Sequence, residues 1–278
     1  MLRKGDLTQG GITGTLLHFT LPMLVGSFLQ QCYNIADTLI VGQCIGAGAL
    51  AAVGSAYTLM VFLISVLLGL AMGSGTVFSL HYGAGNHVAL RRSIFSSFVL
   101  IGIVTLILNV AVFIWLDPIL RLLQVPQDIY GMMRSYLWII FCGIVFTFIY
   151  NFYASLLRAV GDSVTPLWFL AVSVVLNIAL DLFFILQLDW GIQGAASATV
   201  LAQGVAALGI IIYTYRRRPE LRWHHEDMCF DRTCLKEIAS FSTLTCVQQS
   251  VMNLGILMVQ GLVNSFGTAV MAAFAAAV

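Results

Sequence analysis

Charged side chains are scarce in this sequence. Asp, Glu, Lys and Arg make up 9% of its 278 residues, and 60% are hydrophobic. A water-soluble domain carries about 25% charged residues, so a fold whose whole surface meets water is excluded. The formal net charge of +1 leaves no basic footprint for nucleic acid. Cysteine occurs six times, at Cys32, Cys44, Cys142, Cys229, Cys234 and Cys246, with no paired spacing. Most of these lie in apolar runs and read as small fillers, so no disulfide framework is expected. Walker loops, HExxH and GxSxG are all missing, and with them any constellation for an enzyme. The opening MLRKGDLTQGGITG has neither an apolar core nor a small-residue cleavage pattern, so the first apolar run is expected to be retained as a span.

Long uncharged runs take the place of charge. A spanning helix needs about 20 mostly apolar residues. Seven stretches qualify: Leu16–Val41, Ala47–Leu80, Ile94–Leu116, Tyr136–Leu157, Val164–Leu188, Gly191–Tyr215 and Ile238–Val263. An eighth begins at Gly267 and stops within its apolar pattern at Val278, which reads as a truncated chain. Placing the N-terminus in the cytoplasm puts Arg3, Lys4, Arg91, Arg92, Arg158, Arg216, Arg217, Arg218, Arg222, Arg232 and Lys236 inside. Only Arg121 and Arg134 then face outside, as the positive-inside rule requires. The expected fold is all-α, a polytopic bundle in the cell membrane.

The longest polar stretch divides the chain. Residues 1–215 form a six-helix membrane lobe, 216–237 a cytoplasmic linker, and 238–278 the start of a second lobe. A weak internal repeat supports the division: Gln30-Gln31 and Val41 match Gln248-Gln249 and Val259. After a three-residue slip, Gly46, Ala51-Ala52 and Ala56 match Gly267, Ala272-Ala273 and Ala277. The seventh span is then the first helix of an incomplete partner. Its polar face (Gln249, Asn253, Gln260, Asn264) is expected to lack neighbours and to line an open cavity or a lipid-facing flank. Within the linker, His224, His225, Cys229 and Cys234 have a spacing that fits no zinc finger, and a solvated loop is the simpler reading.

Ten of the 12 acidic residues fall in the tail or loops; Asp37 and Asp181 lie inside spans. An acid at the centre of a span costs about 2.5–3.5 kcal/mol on insertion scales, and ion or substrate handling is what offsets it. Gln30, Tyr33, Asn34 and Asp37 share one helical face through steps of three and four. Ser173, Asn177 and Asp181 make a second stripe, and Thr199 and Gln203 a third, with Asn151 alone in the fourth span. Carboxylates with amide and hydroxyl oxygens suit Na⁺ or a proton. Interhelical hydrogen bonding is the competing use of the neutral groups. The Gly42/Gly46 and Gly69/Gly73 pairs fit close helix packing, and Pro22 fits a kink in the first span.

Several segments together resemble the multidrug and toxic compound extrusion (MATE) transporters. LPMLVGSFLQQCYNIADTLIVGQCIGAGALAAVG resembles their first two helices. LLRAVGD (156–162), LNIALD (176–181) and GIQGAASAT (191–199) extend the likeness along the chain. The resemblance implies a twelve-helix protein of two six-helix lobes around a central cavity. The present chain would hold the amino lobe, a seventh helix and the start of an eighth. It implies export of amphipathic, often cationic drugs in exchange for Na⁺ or H⁺, with no other cofactor. The family's amino-lobe cation site would carry over to Asp37, Asn177, Asp181 and Thr199, with Asn151 nearby, and these would be the Na⁺ ligands if sodium is the ion. Gln30, Tyr33, Asn34, Gln203, Gln249 and Asn253 are the candidates for the substrate cavity. One branch of the family uses an acid in the seventh helix, and none stands between Ile238 and Val263. Coupling is therefore expected in the amino lobe. A lipid-linked-precursor flippase of the same superfamily and a non-transporting remnant are the alternatives. The flippase would want basic residues in its cavity, and the span interiors hold no Lys or Arg.

Overall fold

The computed structural model describes residues 12–222 and 232–277, and all the regular structure in them is helical. The helices are α1 (Ile12–Cys44), α2 (Ala47–Gly83), α3 (His87–Leu122), α4 (Gln127–Cys142), α5 (Ile144–Ala159), α6 (Val164–Leu182), α7 (Gly191–Arg217), α8 (Arg232–Asn264) and α9 (Thr268–Ala277). Among the described residues five helices, α2, α3, α6 with the turn after it, α7 and α8, are long and apolar enough to cross a bilayer, and α4 with α5 makes a sixth. α1 has the length as well, at 33 residues, and carries the polar stripe of Gln30, Gln31, Asn34 and Asp37.

The fourth expected span departs most from its sequence outline. It begins at Gln127, earlier than apolarity alone indicates, and it bends by 49° where α4 meets α5. Gly143 stands at the bend, and a Cβ there would run into the side chain of Val200 on α7. Lack of a side chain thus lets α7 press into the joint. The fifth span also breaks: α6 ends at Leu182, and residues Phe183–Gln187 form a π-helical turn directly after Asp181. π turns of this kind concentrate at functional sites in other proteins.

α8 is where the structure corrects the sequence reading. It starts at Arg232, inside the expected linker 216–237, and runs antiparallel along α2 for most of its length. Cβ atoms at Gly69 and Gly73 would collide with the backbone of Cys246 and Ser242, so the two backbones touch there. Ser242 donates to the Leu70 carbonyl (3.3 Å), and the Cys246 thiol contacts that of Val66 (3.3 Å). His81 and Glu237 pair at 3.3 Å at one end. At the other, Gln260 donates to Ser55 (2.8 Å) and accepts from Thr58 (3.2 Å), while Asn264 accepts from Ser55 (3.0 Å) and donates to the Leu123 carbonyl (2.9 Å). Gln260 and Asn264 are therefore buried and partnered, contrary to the expectation of a face without neighbours. The physical reason is that α2 offers a glycine stripe for close approach and hydroxyls for the amides. The rest of the linker, with His224, His225 and Cys229, lies outside the described residues, as do Arg3 and Lys4.

α8 and α9 repeat the form of α1 and α2. α1 and α8 each span 33 residues, and each is followed by a turn through a glycine of positive φ, Gly46 (119°) and Gly267 (90°). These two glycines are equivalent in the internal repeat.

The turn between α5 and α6 is held by Asp162. Its carboxylate accepts from the Thr165 amide (3.0 Å) and hydroxyl (2.9 Å), and Arg218 at the end of α7 reaches it at 3.3 Å. Asp162→Ala should destabilise the bundle by about 1–2 kcal/mol, the scale of losing a helix cap. Thermal unfolding in detergent reads this as a lowered midpoint, and Glu220→Ala, which removes only the second and longer partner of Arg218 (3.5 Å), should lower it less.

Candidate functional site

α1, α6 and α7 converge on the two membrane-embedded acids. Asp37 stands on the C-terminal half of α1 and Asp181 at the end of α6, and both are buried, Asp181 completely. Their carboxyl groups are within side-chain hydrogen-bonding reach of each other. Asn177, one turn before Asp181, is buried beside Thr199 of α7. Its amide is best satisfied with the nitrogen donating to Asp181 Oδ2 (2.9 Å) and the oxygen accepting from Thr199 Oγ1 (3.3 Å) and the Thr199 amide (3.1 Å). Tyr33, one turn before Asp37, brings its hydroxyl to 3.3 Å from Thr199 Oγ1. Asp37 Oδ1 and Asp181 Oδ1 are buried without a hydrogen-bond partner. Five residues from three helices thus meet here, and each acid keeps one buried oxygen outside their hydrogen bonds.

A cavity of about 910 Å³ opens beside this cluster. Asp37, Asn177 and Thr199 form part of its wall, while Asp181 sits one layer behind. Gln30, Tyr33, Asn34, Asn151, Ser173 and Gln203 also line it. Asn151 is tied by its amide to the Thr147 carbonyl (2.8 Å), and Thr147 bonds Gln203 across the α5–α7 contact. Asn34 donates to Gln31 and to the Tyr57 hydroxyl, each at 3.2 Å, which links α1 to α2 over the cavity. Gln249 and Asn253 do not belong to the lining. Asn253 turns its amide to the Gln249 carbonyl of its own helix (2.9 Å), and α8 reaches the cavity through Gln260 instead. The helical phase explains this, because the side of α8 that meets α2 is set by the glycine contacts, and α8 reaches the cavity only near its C-terminal end.

Sequence reasoning missed Gln31, Tyr57, Tyr136, Thr147 and Tyr150, all of which line the cavity. Tyrosine and threonine carry no charge to mark them as costly in lipid. The signal that was available is position along the chain: Tyr57 lies near the N-terminal end of α2, shortly after the Asn34–Asp37 stripe that it faces. Among the described residues, no three His, Cys, Asp or Glu gather into a metal cluster, and the cavity wall carries no Lys or Arg.

Comparison with known proteins agrees with this architecture. Residues 22–183 match the family model described as MatE. The chain is 32% identical over 282 aligned residues to the probable multidrug resistance protein YpnP of Bacillus subtilis (strain 168), an alignment that covers 99% of this chain and 61% of that protein. It is 31% identical to the multidrug export protein MepA of Staphylococcus saprophyticus, over 73% of this chain and 45% of MepA. Among solved structures, it superposes on the inward-facing conformation of a multidrug resistance MATE family transporter of the MOP superfamily with a TM-score of 0.81. That match has 25% identity and covers 95% of this chain and 60% of the other. The chain thus spans about three fifths or less of the length of these proteins.

Proposed function

Because the chain belongs to the MatE family, a family of multi-pass membrane transporters, we propose that it is the amino-terminal part of a secondary antiporter that exports amphipathic organic cations in exchange for Na⁺ or H⁺. The observation that carries this reading is the contact between Asp37 and Asp181 at a cavity wall free of Lys and Arg. Two carboxylates held close in a poorly hydrated site are stable only if they share a proton or hold a cation between them. Their unpaired Oδ1 atoms, with the Tyr33 and Thr199 hydroxyls nearby, make an oxygen set suited to Na⁺ as well as to a proton. When the ion leaves, the Asp37 carboxylate is exposed to the cavity as a counter-charge for a cationic substrate. Loading and unloading thereby link substrate and ion through one side chain. Tyr57, Tyr136 and Tyr150 supply ring faces that favour cationic and aromatic compounds. The flippase alternative asks for a pyrophosphate-binding wall, which a cavity without basic residues does not provide.

Residues 1–215 form the amino lobe on this reading and α8 opens the second. The test is efflux of a fluorescent cation from proteoliposomes carrying a version with both lobes, under an imposed Na⁺ gradient or an imposed H⁺ gradient. Efflux under one of them supports the reading, and retention of dye under both overturns it. The proposed orientation has its own test in single-cysteine variants. An impermeant maleimide should modify exposed Cys44 in intact cells and reach Cys229 only after permeabilisation. Labelling of Cys229 from outside would reverse the topology.

A further inference from the structure

We infer that Ser163, at the start of α6, is the positioning residue that clamps α1 at its proline turn and so sets the direction in which the Asp37-bearing half of α1 leaves that turn. Pro22 lies inside α1 and has no N–H to offer the carbonyl of residue 18; its ring also crowds the carbonyls of the preceding turn. One of that turn's carbonyls, that of Phe19, accepts a hydrogen bond from Ser163 Oγ at 2.9 Å. Ser163 is almost fully buried, at 5% exposure, so this bond has little competition from water.

The local sequence explains why a serine is free for this task. Ser163 occupies the N-cap position of α6, where a serine hydroxyl ordinarily accepts from its own helix. Here it makes no such cap bond. Asp162, the residue before it, takes over that duty through the Thr165 amide and hydroxyl. The Asp162–Ser163 pair therefore divides two roles, one carboxylate closing α6 and one hydroxyl reaching across to α1. Gly161, with φ of 86°, supplies the turn that presents them. Just beyond the proline, a Cβ on Gly26 would lie 3.6 Å from Leu167 of α6, so the two helices stay close above the clamp. α1 makes more of its tertiary contacts with α6 than with any other helix, so the point at which α6 holds it decides where its C-terminal half runs. That half carries Tyr33, Asn34 and Asp37.

The experiment measures α1 directly and needs no transport assay. The native Cys44 at the C-terminal end of α1 and Asp189→Cys in the α6–α7 turn carry nitroxide labels, the other five cysteines being replaced. Both sites are exposed. Pulsed dipolar spectroscopy then gives the distance distribution in proteoliposomes. With Ser163 a single dominant distance is expected. Ser163→Ala should add a second population of roughly a tenth or more of the spin pairs. Ser163→Thr, which keeps the hydroxyl, should restore the parent distribution. In a Pro22→Ala background α1 recovers its own hydrogen-bond ladder, so Ser163→Ala should leave the distribution unmoved. An unchanged distribution in Ser163→Ala overturns the clamp, and so does an equal change with and without Pro22. If Ser163→Ala alone does not insert, insertion of the Pro22→Ala/Ser163→Ala double variant supports the clamp and its failure overturns it.

Discussion

Asp37→Asn, in a version with both lobes, is expected to reduce cation-driven efflux by about 100-fold or more, the scale on which removing an acid–base group acts. Asparagine matches aspartate in shape and still hydrogen-bonds, so the packing around Thr199 and Tyr33 should survive. What it cannot do is change charge, and a change of charge shared with Asp181 is the step proposed for this site. Asp181→Asn should give the same loss, because each acid acts only through the other. Folding should not suffer. Removing one of two buried carboxylates relieves a desolvation cost, so the thermal midpoint should hold or rise. Asp189→Asn is the control: this residue is exposed in the α6–α7 turn, and its replacement should leave efflux at the parent level. Dye efflux from proteoliposomes, with circular dichroism for folding, decides the matter. Parent-level efflux by both Asp37→Asn and Asp181→Asn would refute the coupling role.

Gly73→Leu should be the most damaging single change to the fold. Even a methyl group at residue 73 would overlap the backbone of Ser242, and backbone cannot rotate away as a flexible side chain can. α2 and α8 would have to part along the half of their contact nearest the C-terminal end of α2, which breaks the Ser242–Leu70 bond and the His81–Glu237 pair with it. Overpacking a tight site costs about 1–3 kcal/mol, and a helix-to-helix backbone contact lies at the upper end or beyond. Gly83→Leu provides the contrast, since a Cβ there meets nothing within 4 Å. The thermal midpoint in detergent should fall clearly for Gly73→Leu and little for Gly83→Leu. Equal midpoints would show that α2 and α8 do not pair in the membrane.

Much of this was legible in the chain because lipid makes charge expensive. Asp37 and Asp181 stand out from ten other acids by lying in apolar runs, and helical spacing puts Tyr33 beside the first and Asn177 beside the second; Thr199, on another helix, was joined to them only by the family resemblance. Gly69 and Gly73 announced a close contact without saying with what. The partner was hidden because helix pairing is a property of two surfaces, and the sequence of α8 read alone shows only a polar face in need of cover. The bend at Gly143 was hidden for a similar reason, since its cause, Val200, belongs to another helix. Tyr57 and Tyr136 escaped because a tyrosine in a span needs no special explanation.

The pairing of α2 with α8 also sets a timetable for synthesis. Ser55 and Asn264 are 209 residues apart. At 5–20 residues per second, α2 enters the bilayer about 10–40 s before α8 is made. Throughout that interval the glycine stripe of α2 has no helix against it, and Ser55 and Thr58 lack their amide partners on α8. A nascent chain with a waiting groove of this kind is a natural client for the insertion machinery, which would shield α2 until its late-arriving neighbour displaces it.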